Sequence, residues 1–175
     1  MFHVVLYRPQ IPPNTGSIIR LCANTGATLH LVQPLGFALD RKSVRRAGLD
    51  YAELACVQVH ANLDRCRAAL AGAPLYLLET DGTVSYAQAQ FAPGAAFVFG
   101  PETTGMPAAL ARHWPPQQRL YVPMRPGNRS MNLANTVALV LYEAWRQNGI
   151  SGAGPVAADA SAGRATRAPG GSAAT

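Results

Sequence analysis

Three segments of the chain combine turn residues with side chains that can hold a ligand. The first segment, "RPQIPPNTGSIIR", brings Asn14, Gly16 and Arg20 close together in the sequence. The second segment, "GPETTGMP", carries Glu102, and the third, "RPGNRSMN", carries Asn132 in front of a long apolar stretch. Amide, carboxylate and guanidinium groups form directed hydrogen bonds, and glycine lets backbone approach a ligand closely. These residue types therefore favour binding and orientation of a polar ligand.

Several other reaction types are excluded by what these segments lack. None of the three contains a histidine, so they cannot supply a Ser-His-Asp set, and paired carboxylates are missing as well. The second segment matches neither the GxGxxG pattern nor the GKS or GKT ending of a phosphate-binding loop. The cysteines form no CxxC pair and the histidines have no ligand spacing, so we expect no metal.

Each polar residue also has a purely structural interpretation. Arg20 lies off the apolar stripe of Ile18, Leu21 and Cys22, which fits either a surface arginine or a site arginine. Asn14 is a residue type that caps helices well, and the second segment can be a simple strand-to-helix turn. The residues alone leave these alternatives open.

The three segments need a frame, and the rest of the chain predicts one. The stretches "FHVVLY", "ATLHLVQPL", "LACVQVH", "PLYLLE", "AAFVFG" and "RLYVPM" are typical of strands, and helical patterns alternate with them. One helix follows "PPNTG" and ends at Gly26. This order predicts an α/β fold with helices on both faces of a mostly parallel sheet. Ligands bind such sheets beyond the carboxyl ends of the strands, where the three segments lie.

The last helical stretch, from about residue 131 to 147, is apolar on nearly every side. Ser130 or Asn132 can cap it. A chain of this size is too small to cover every face of such a helix, so we expect a dimer interface there. Residues 151–175 are almost all small residues and proline, which cannot form a core. We therefore expect one domain over residues 1–150, followed by a disordered tail.

The charge balance favours an anionic partner. The 175 residues carry a formal net charge of +6, and the segment "DRKSVRR" contributes Arg41, Lys42, Arg45 and Arg46. This basic cluster is either a solvated helix face or a patch that contacts phosphates. No apolar run is long enough to span a membrane and the first residues lack signal-peptide features, so we expect a cytoplasmic protein.

Taken together and in this order, the three segments resemble the motifs of a known family. "NTGSIIRLCANTG", "FVFGPETTGMP" and "VPMRPGNRSMNLANTVALVLYEAWRQ" are similar to those of the SPOUT class of RNA 2′-O-ribose methyltransferases. Within that class the chain resembles the small tRNA (cytidine/uridine-2′-O-)-methyltransferases that act on the wobble nucleotide. The resemblance covers about residues 1–150. It implies a C-terminal deep trefoil knot, S-adenosylmethionine as cofactor and a homodimer through the C-terminal helix.

The roles of individual residues follow from this resemblance. Arg20 matches the family's catalytic arginine, and Asn14 and Glu102 are expected to hold that arginine and the substrate ribose. The implied cofactor contacts are Leu78, Gly100, Val122, Ser130, Met131 and Leu133. The implied contacts to the tRNA anticodon stem-loop are Arg41, Lys42, Arg45, Arg46 and Asn132. The resemblance implies methylation of the ribose of cytidine or modified uridine at position 34, in leucine tRNAs.

Other interpretations compete with this one. A non-catalytic RNA-binding α/β module would use the same basic cluster. A doubly wound nucleotide-binding enzyme such as a dehydrogenase would share the sheet, but the missing early GxGxxG pattern counts against it. A 2′-O-methyltransferase that acts on another tRNA or rRNA site is also compatible with the motifs.

Overall fold

The protein is built around one parallel sheet. A computed structural model describes residues 1–38 and 52–154. Its seven strands are β1 (His3–Tyr7), β2 (Thr28–Val32), β3 (Val57–His60), β4 (Leu75–Leu78), β5 (Val84–Ser85), β6 (Ala96–Phe99) and β7 (Arg119–Tyr121). They lie in the order β3-β2-β1-β6-β4-β7-β5, and all neighbouring strands are parallel. The predicted parallel sheet is confirmed.

Helices connect the strands. The α-helices in the described ranges are α1 (Pro12–Thr25), α2 (Leu63–Ala69), α3 (Ala108–Ala111) and α4 (Leu133–Gln147). Short 3-10 turns occupy Glu53–Cys56, Tyr86–Gln88 and Pro116–Gln118. Strand β5 was not predicted, because its two residues are too few to produce an alternating pattern.

Alternating side chains of the central strands build two apolar layers. On β1, Val4 and Leu6 belong to one buried cluster, whereas Val5 and Tyr7 belong to the other. Helices α1 and α4 pack on the first layer and against each other, and α2 and α3 cover the second. Each fully buried Leu or Val side chain stabilises the fold by about 1.5–3 kcal/mol. The expected cover of both sheet faces by helices is confirmed.

Helix α1 begins earlier than its sequence suggested. Pro12 is its first residue, so "PPNTG" forms the first turn of the helix instead of a loop. Proline suits this place because its ring presets φ and its missing N–H would have no intrahelical partner. The helix cap is Ile11 rather than Asn14, and Gly16 lies inside the helix. The prediction that Gly26 ends the helix is confirmed by its left-handed φ of 69°.

Helix α4 starts at Leu133, two residues after the predicted start. The side chain of Asn132 caps it by accepting hydrogen bonds from the N–H groups of Ala134 at 2.9 Å and Asn135 at 3.3 Å. The prediction that Ser130 or Asn132 caps this helix is therefore confirmed for Asn132. The cap also fixes the end of the third segment to a helix that is anchored in the core.

Parts of the prediction lie outside the described residues. These are the basic cluster of Arg41, Lys42, Arg45 and Arg46, and residues 155–175 of the expected tail. The threading of the chain into a trefoil knot stays a prediction. Among the described helices, none combines the length and the apolar character needed to cross a membrane.

Candidate active site

The carboxyl ends of three neighbouring strands form the floor of the candidate cofactor site. Strands β6, β4 and β7 are adjacent and parallel, so their carboxyl ends open on one edge of the sheet. Leu78 ends β4 and pairs with Phe99 on one side and Leu120 on the other. Gly100 and Val122 directly follow β6 and β7. The sheet therefore places three of the expected cofactor contacts at the same edge.

The other expected cofactor contacts lie between β7 and α4. Ser130 is exposed, the side chain of Met131 is 37% exposed, and Leu133 is half-buried at the first turn of α4. Exposed and half-buried apolar side chains beside backbone groups suit an adenine ring, which has flat faces and a polar edge. The residues present at this edge thus fit an adenosine-containing cofactor such as S-adenosylmethionine.

Gly100 is required by the path of its own loop. A Cβ atom added there would lie 2.2 Å from the backbone nitrogen of Met106 and 2.4 Å from the carbonyl carbon of Gly105. These are backbone atoms and cannot move aside as a flexible side chain would. The second segment therefore folds back tightly on the end of β6, whether or not a ligand also contacts Gly100.

A polar network joins the three segments. One carboxylate oxygen of Glu102 accepts a hydrogen bond from the N–H of Gln10 at 2.8 Å. The other accepts hydrogen bonds from the N–H of Ile11 and from Nδ2 of Asn14, both at 3.2 Å. Asn132 Nδ2 then donates to Oδ1 of the buried Asn14 at 2.9 Å. The structure thus brings together Asn14, Glu102 and Asn132.

The network defines what Glu102 can do. Its two oxygens already accept three hydrogen bonds from the first segment. A carboxylate used in this way fastens the first segment to the second. Asn132 adds the third segment while it caps α4.

Arg20 has a different carboxylate partner from the expected one. Its Nε lies 3.0 Å from Oε1 of Glu53, which belongs to the 3-10 turn before β3. Arg20 follows Asn14 by six residues, which places the two side chains about 120° apart around a helix of 3.6 residues per turn. The side chain of Arg20 is 52% exposed. Glu53 was missed from the sequence because it lies far along the chain, outside the three segments.

A second carboxylate beside the strand ends was also missed. Glu79 follows Leu78 and pairs with Arg119, whose Nη2 lies 3.3 Å from Glu79 Oε2 and 3.4 Å from Asp81 Oδ2. Burial raises the pKa of Glu79, the Asp81 charge adds to this, and Arg119 opposes it. In the sequence, Glu79 is marked only by its position at the end of a predicted strand, which is a weak signal.

A row of histidines crosses the other half of the sheet. Nδ1 of His3 lies 3.1 Å from Nε2 of His30, and Nδ1 of His30 lies 2.9 Å from Nε2 of His60. Burial, together with the neighbouring His3 and His60, lowers the pKa of His30 to about 4. His30, His60 and Cys66 place possible ligand atoms within 4.8 Å of one another. Sequence spacing missed this grouping because its members lie on three separate elements, β2, β3 and α2.

The fold and site define a class of protein. The protein has a parallel α/β sheet with three linked segments at its carboxyl edge. Residues 1–142 match the family model described as the SpoU rRNA Methylase family. The chain belongs to this SpoU rRNA methylase family.

Individual relatives narrow the comparison. A tRNA (cytidine(34)-2'-O)-methyltransferase from Methylovorus glucosotrophus is 55% identical over 153 residues, which cover 87% of this chain and 99% of the relative. A solved structure described as giving structural insights into the 2-OH methylation of C/U34 on tRNA has a TM-score of 0.78 at 39% identity, and the match covers 85% of this chain and 97% of that one. The SpoU methyltransferase AviRb from Streptomyces viridochromogenes, solved with the cofactor AdoMet, has a TM-score of 0.70 at 28% identity and covers 86% of this chain and 58% of its own.

Proposed function

We propose that this chain transfers a methyl group from S-adenosylmethionine to the ribose 2′-OH of cytidine or modified uridine at position 34 of tRNA. The observation that carries the proposal is the hydrogen-bonded union of the three segments at the carboxyl edge of the sheet. The relative at 55% identity, whose name specifies cytidine 34, supports this choice of substrate. Leucine tRNAs are the proposed acceptors.

The proposed cofactor site consists of the expected contacts at the strand ends and in the third segment. S-adenosylmethionine, when bound, supplies an electrophilic methyl group on its sulfonium. The adenine side is assigned to Val122, Met131 and Leu133. Leu78 ends the floor of the site, and Gly100 and Ser130 contribute backbone and hydroxyl groups. The AdoMet-bound AviRb structure, which has the same family fold, supports this choice of cofactor.

Arg20 is the proposed catalytic residue. A guanidinium group keeps its proton at all ordinary pH values, so it does not accept the proton of the 2′-OH. As the new C–O bond forms, the methyl–sulfur bond would break, S-adenosylhomocysteine would leave and the 2′-OH proton would pass to solvent. Arg20 donates hydrogen bonds to the 2′-oxygen and the adjacent phosphate and stabilises the negative charge that develops on the oxygen. Glu53, bonded to Nε, fixes the plane of the guanidinium for this task.

Asn14, Glu102 and Asn132 are the proposed positioning groups. Their network holds the start of α1 and the start of α4 in one geometry. Holding the reacting groups in place is worth up to about 7–11 kcal/mol in well-oriented reactions. We assign Asn132 a further contact to the tRNA, because it lies at the exposed end of the third segment.

The proposed substrate surface extends beyond one subunit. Arg41, Lys42, Arg45 and Arg46 supply phosphate contacts, in keeping with the net charge of +6. On α4, Leu139 is 40% exposed and Tyr142 is 49% exposed, which leaves an apolar surface for a second copy of the chain. We therefore include a homodimer through α4 and a cytoplasmic location in the proposal.

A second candidate function is 2′-O-methylation at another tRNA site or in rRNA. The description of the family model, which names rRNA, favours this alternative. A non-catalytic RNA-binding module is the remaining alternative.

Nucleoside mass spectrometry of tRNA from a deletion strain tests the proposal. We expect 2′-O-methylation at position 34 to disappear and to return when the intact gene is supplied. Unchanged methylation at position 34, together with a loss in rRNA, would favour the second candidate. A strain with no methylation change at all would favour the RNA-binding module.

A further inference from the structure

A pocket of about 470 Å³ lies at the carboxyl ends of β1, β2 and β3. It is lined by Tyr7 and Arg8 at the end of β1, by Arg67 of α2 and by Trp114 beyond α3. This pocket is separate from the expected cofactor contacts, which follow β4, β6 and β7 on the other half of the sheet. None of its lining residues has a role in the proposed chemistry.

Two arginine side chains in the pocket are stacked on aromatic rings. The guanidinium carbon of Arg8 lies 5.1 Å from the centre of the Tyr7 ring. That of Arg67 lies 4.7 Å from the centre of the Trp114 ring. Both rings are buried, so they form a firm base under the guanidinium groups. A guanidinium held in this way presents a flat face for a nucleobase and N–H groups for phosphate oxygens.

The backbone of Arg8 is held in an unfavourable conformation. Its φ is 51°, in the left-handed region that residues other than glycine seldom adopt. Strained conformations of this kind are concentrated at ligand-binding and active sites. The fold thus fixes the backbone of Arg8 in the conformation from which its side chain stacks on Tyr7.

The charges of the pocket suit an anionic ligand. In the part of the chain that the structure describes, the ion pairs involve neither Arg8 nor Arg67. Asp64 is the acidic residue of the lining, so its carboxylate and the two arginines together leave one net positive charge. The pocket therefore offers cationic and stacking groups together, as nucleotide-binding surfaces do.

The pocket borders the candidate active site. Arg8 and Gln10 belong to the same connection between β1 and α1, and two residues of extended chain span at most about 7 Å. The N–H of Gln10 donates to Glu102, so Gln10 is part of the polar network, and Arg8 lines the pocket two residues earlier. The lining of the pocket therefore comes within about 7 Å, along the chain, of a residue that belongs to the network.

We propose that this pocket binds an unpaired nucleotide of the RNA substrate that flanks the methylated nucleotide. Arg8 and Arg67 contact its phosphate, and its base stacks on a guanidinium face. The inference rests on the proposed function, because it takes the substrate to be RNA. It goes further by assigning a subsite to residues outside the three segments.

The test compares R67Q with R65Q in the full-length protein. Arg65 is exposed on the same helix and does not line the pocket, so R65Q is a matched control for loss of charge. We expect R67Q to raise the KM for an anticodon stem-loop RNA about tenfold and to reduce the salt dependence of binding by about one phosphate contact. R65Q should change KM less than twofold. Because R67Q can disturb Trp114, R8Q provides a second variant, with the same increase expected.

Trp114 offers an independent readout. The chain has two tryptophans, so W145F leaves Trp114 as the single reporter. We expect the stem-loop RNA to quench its fluorescence, and R8Q in the W145F background to weaken that quenching. Quenching by 5′-CMP as strong as that by the RNA would overturn the inference in favour of a small-molecule site.

The two proposals fail in different ways. If wild-type protein methylates no RNA, the proposed function fails. If wild-type protein methylates the stem-loop and R67Q and R8Q have the KM of R65Q, the pocket inference alone is overturned. Binding of S-adenosylhomocysteine should be equal in all variants, which shows that the cofactor site is intact.

Discussion

The carboxylate of Glu102 joins the second segment to the first through three hydrogen bonds, and its replacement gives a quantitative test. It accepts hydrogen bonds from the N–H groups of Gln10 and Ile11 and from Asn14. In E102Q, an NH₂ group replaces one oxygen, so at least one donor loses its acceptor and faces another donor. Hydrogen bonds to charged groups contribute about 1.5–3 kcal/mol, and we expect a loss of about 2 kcal/mol in the free energy of unfolding. In a domain of this size that corresponds to a decrease in Tm of about 4–8 °C.

Thermal and urea unfolding of E102Q measure this loss, with D81N as the control. D81N also replaces a carboxylate by an amide, but the Asp81 side chain is 76% exposed and its ion pair with Arg119 is long, at 3.4 Å. We expect D81N to change stability by less than about 1 kcal/mol, as exposed ion pairs do. If E102Q and D81N have the same Tm and the same urea midpoint, the network does not hold the segments and its proposed positioning role is wrong.

Three further changes test other parts of the account. G100A should unfold far more readily than wild type or fail to fold, because its Cβ would lie 2.2 Å from the nitrogen of Met106; a Tm within a few degrees of wild type would contradict the tight turn. The pKa of His30 is about 4 in the folded protein, below the ordinary 6.5, so His30 binds a proton more readily in the unfolded chain. This difference should reduce the free energy of unfolding by about 3 kcal/mol as the pH falls from 7 to 4. H30N should reduce that pH dependence in urea titrations, and an unchanged dependence would refute the assignment. Replacing Leu139 and Tyr142 together by glutamate should convert a homodimer to monomers in sedimentation, and an unaltered dimer would exclude this surface as the interface.

The sheet and its helices were predictable because their signals are local. The short apolar run "FHVVLY" and the glycine at the end of α1 depend on neighbours within a few residues. The one local error of consequence concerned "PPNTG", where two prolines suggested a loop. At the first turn of a helix proline is well tolerated, so the same residues fit a helix start.

The sequence predicted which segments form the site, but it did not predict the hydrogen bonds that join them. The residue types of Asn14, Glu102 and Asn132 suggested ligand-binding segments, whereas their hydrogen bonds join positions 88 and 118 residues apart. No spacing rule relates such positions, since only the order of strands in the sheet brings them together. The ion pair of Arg20 with Glu53 was out of reach for the same reason.

The most direct test of the proposed function is methylation of total tRNA in vitro with labelled S-adenosylmethionine, followed by mapping of the labelled nucleotide, for wild type and R20A. We expect wild type to label the 2′-oxygen of nucleotide 34. We expect R20A to lose turnover while it keeps its affinity for S-adenosylhomocysteine in calorimetry, because Arg20 is assigned to the substrate. Label at a different nucleotide, or an R20A variant whose main defect is loss of cofactor binding, would contradict the account.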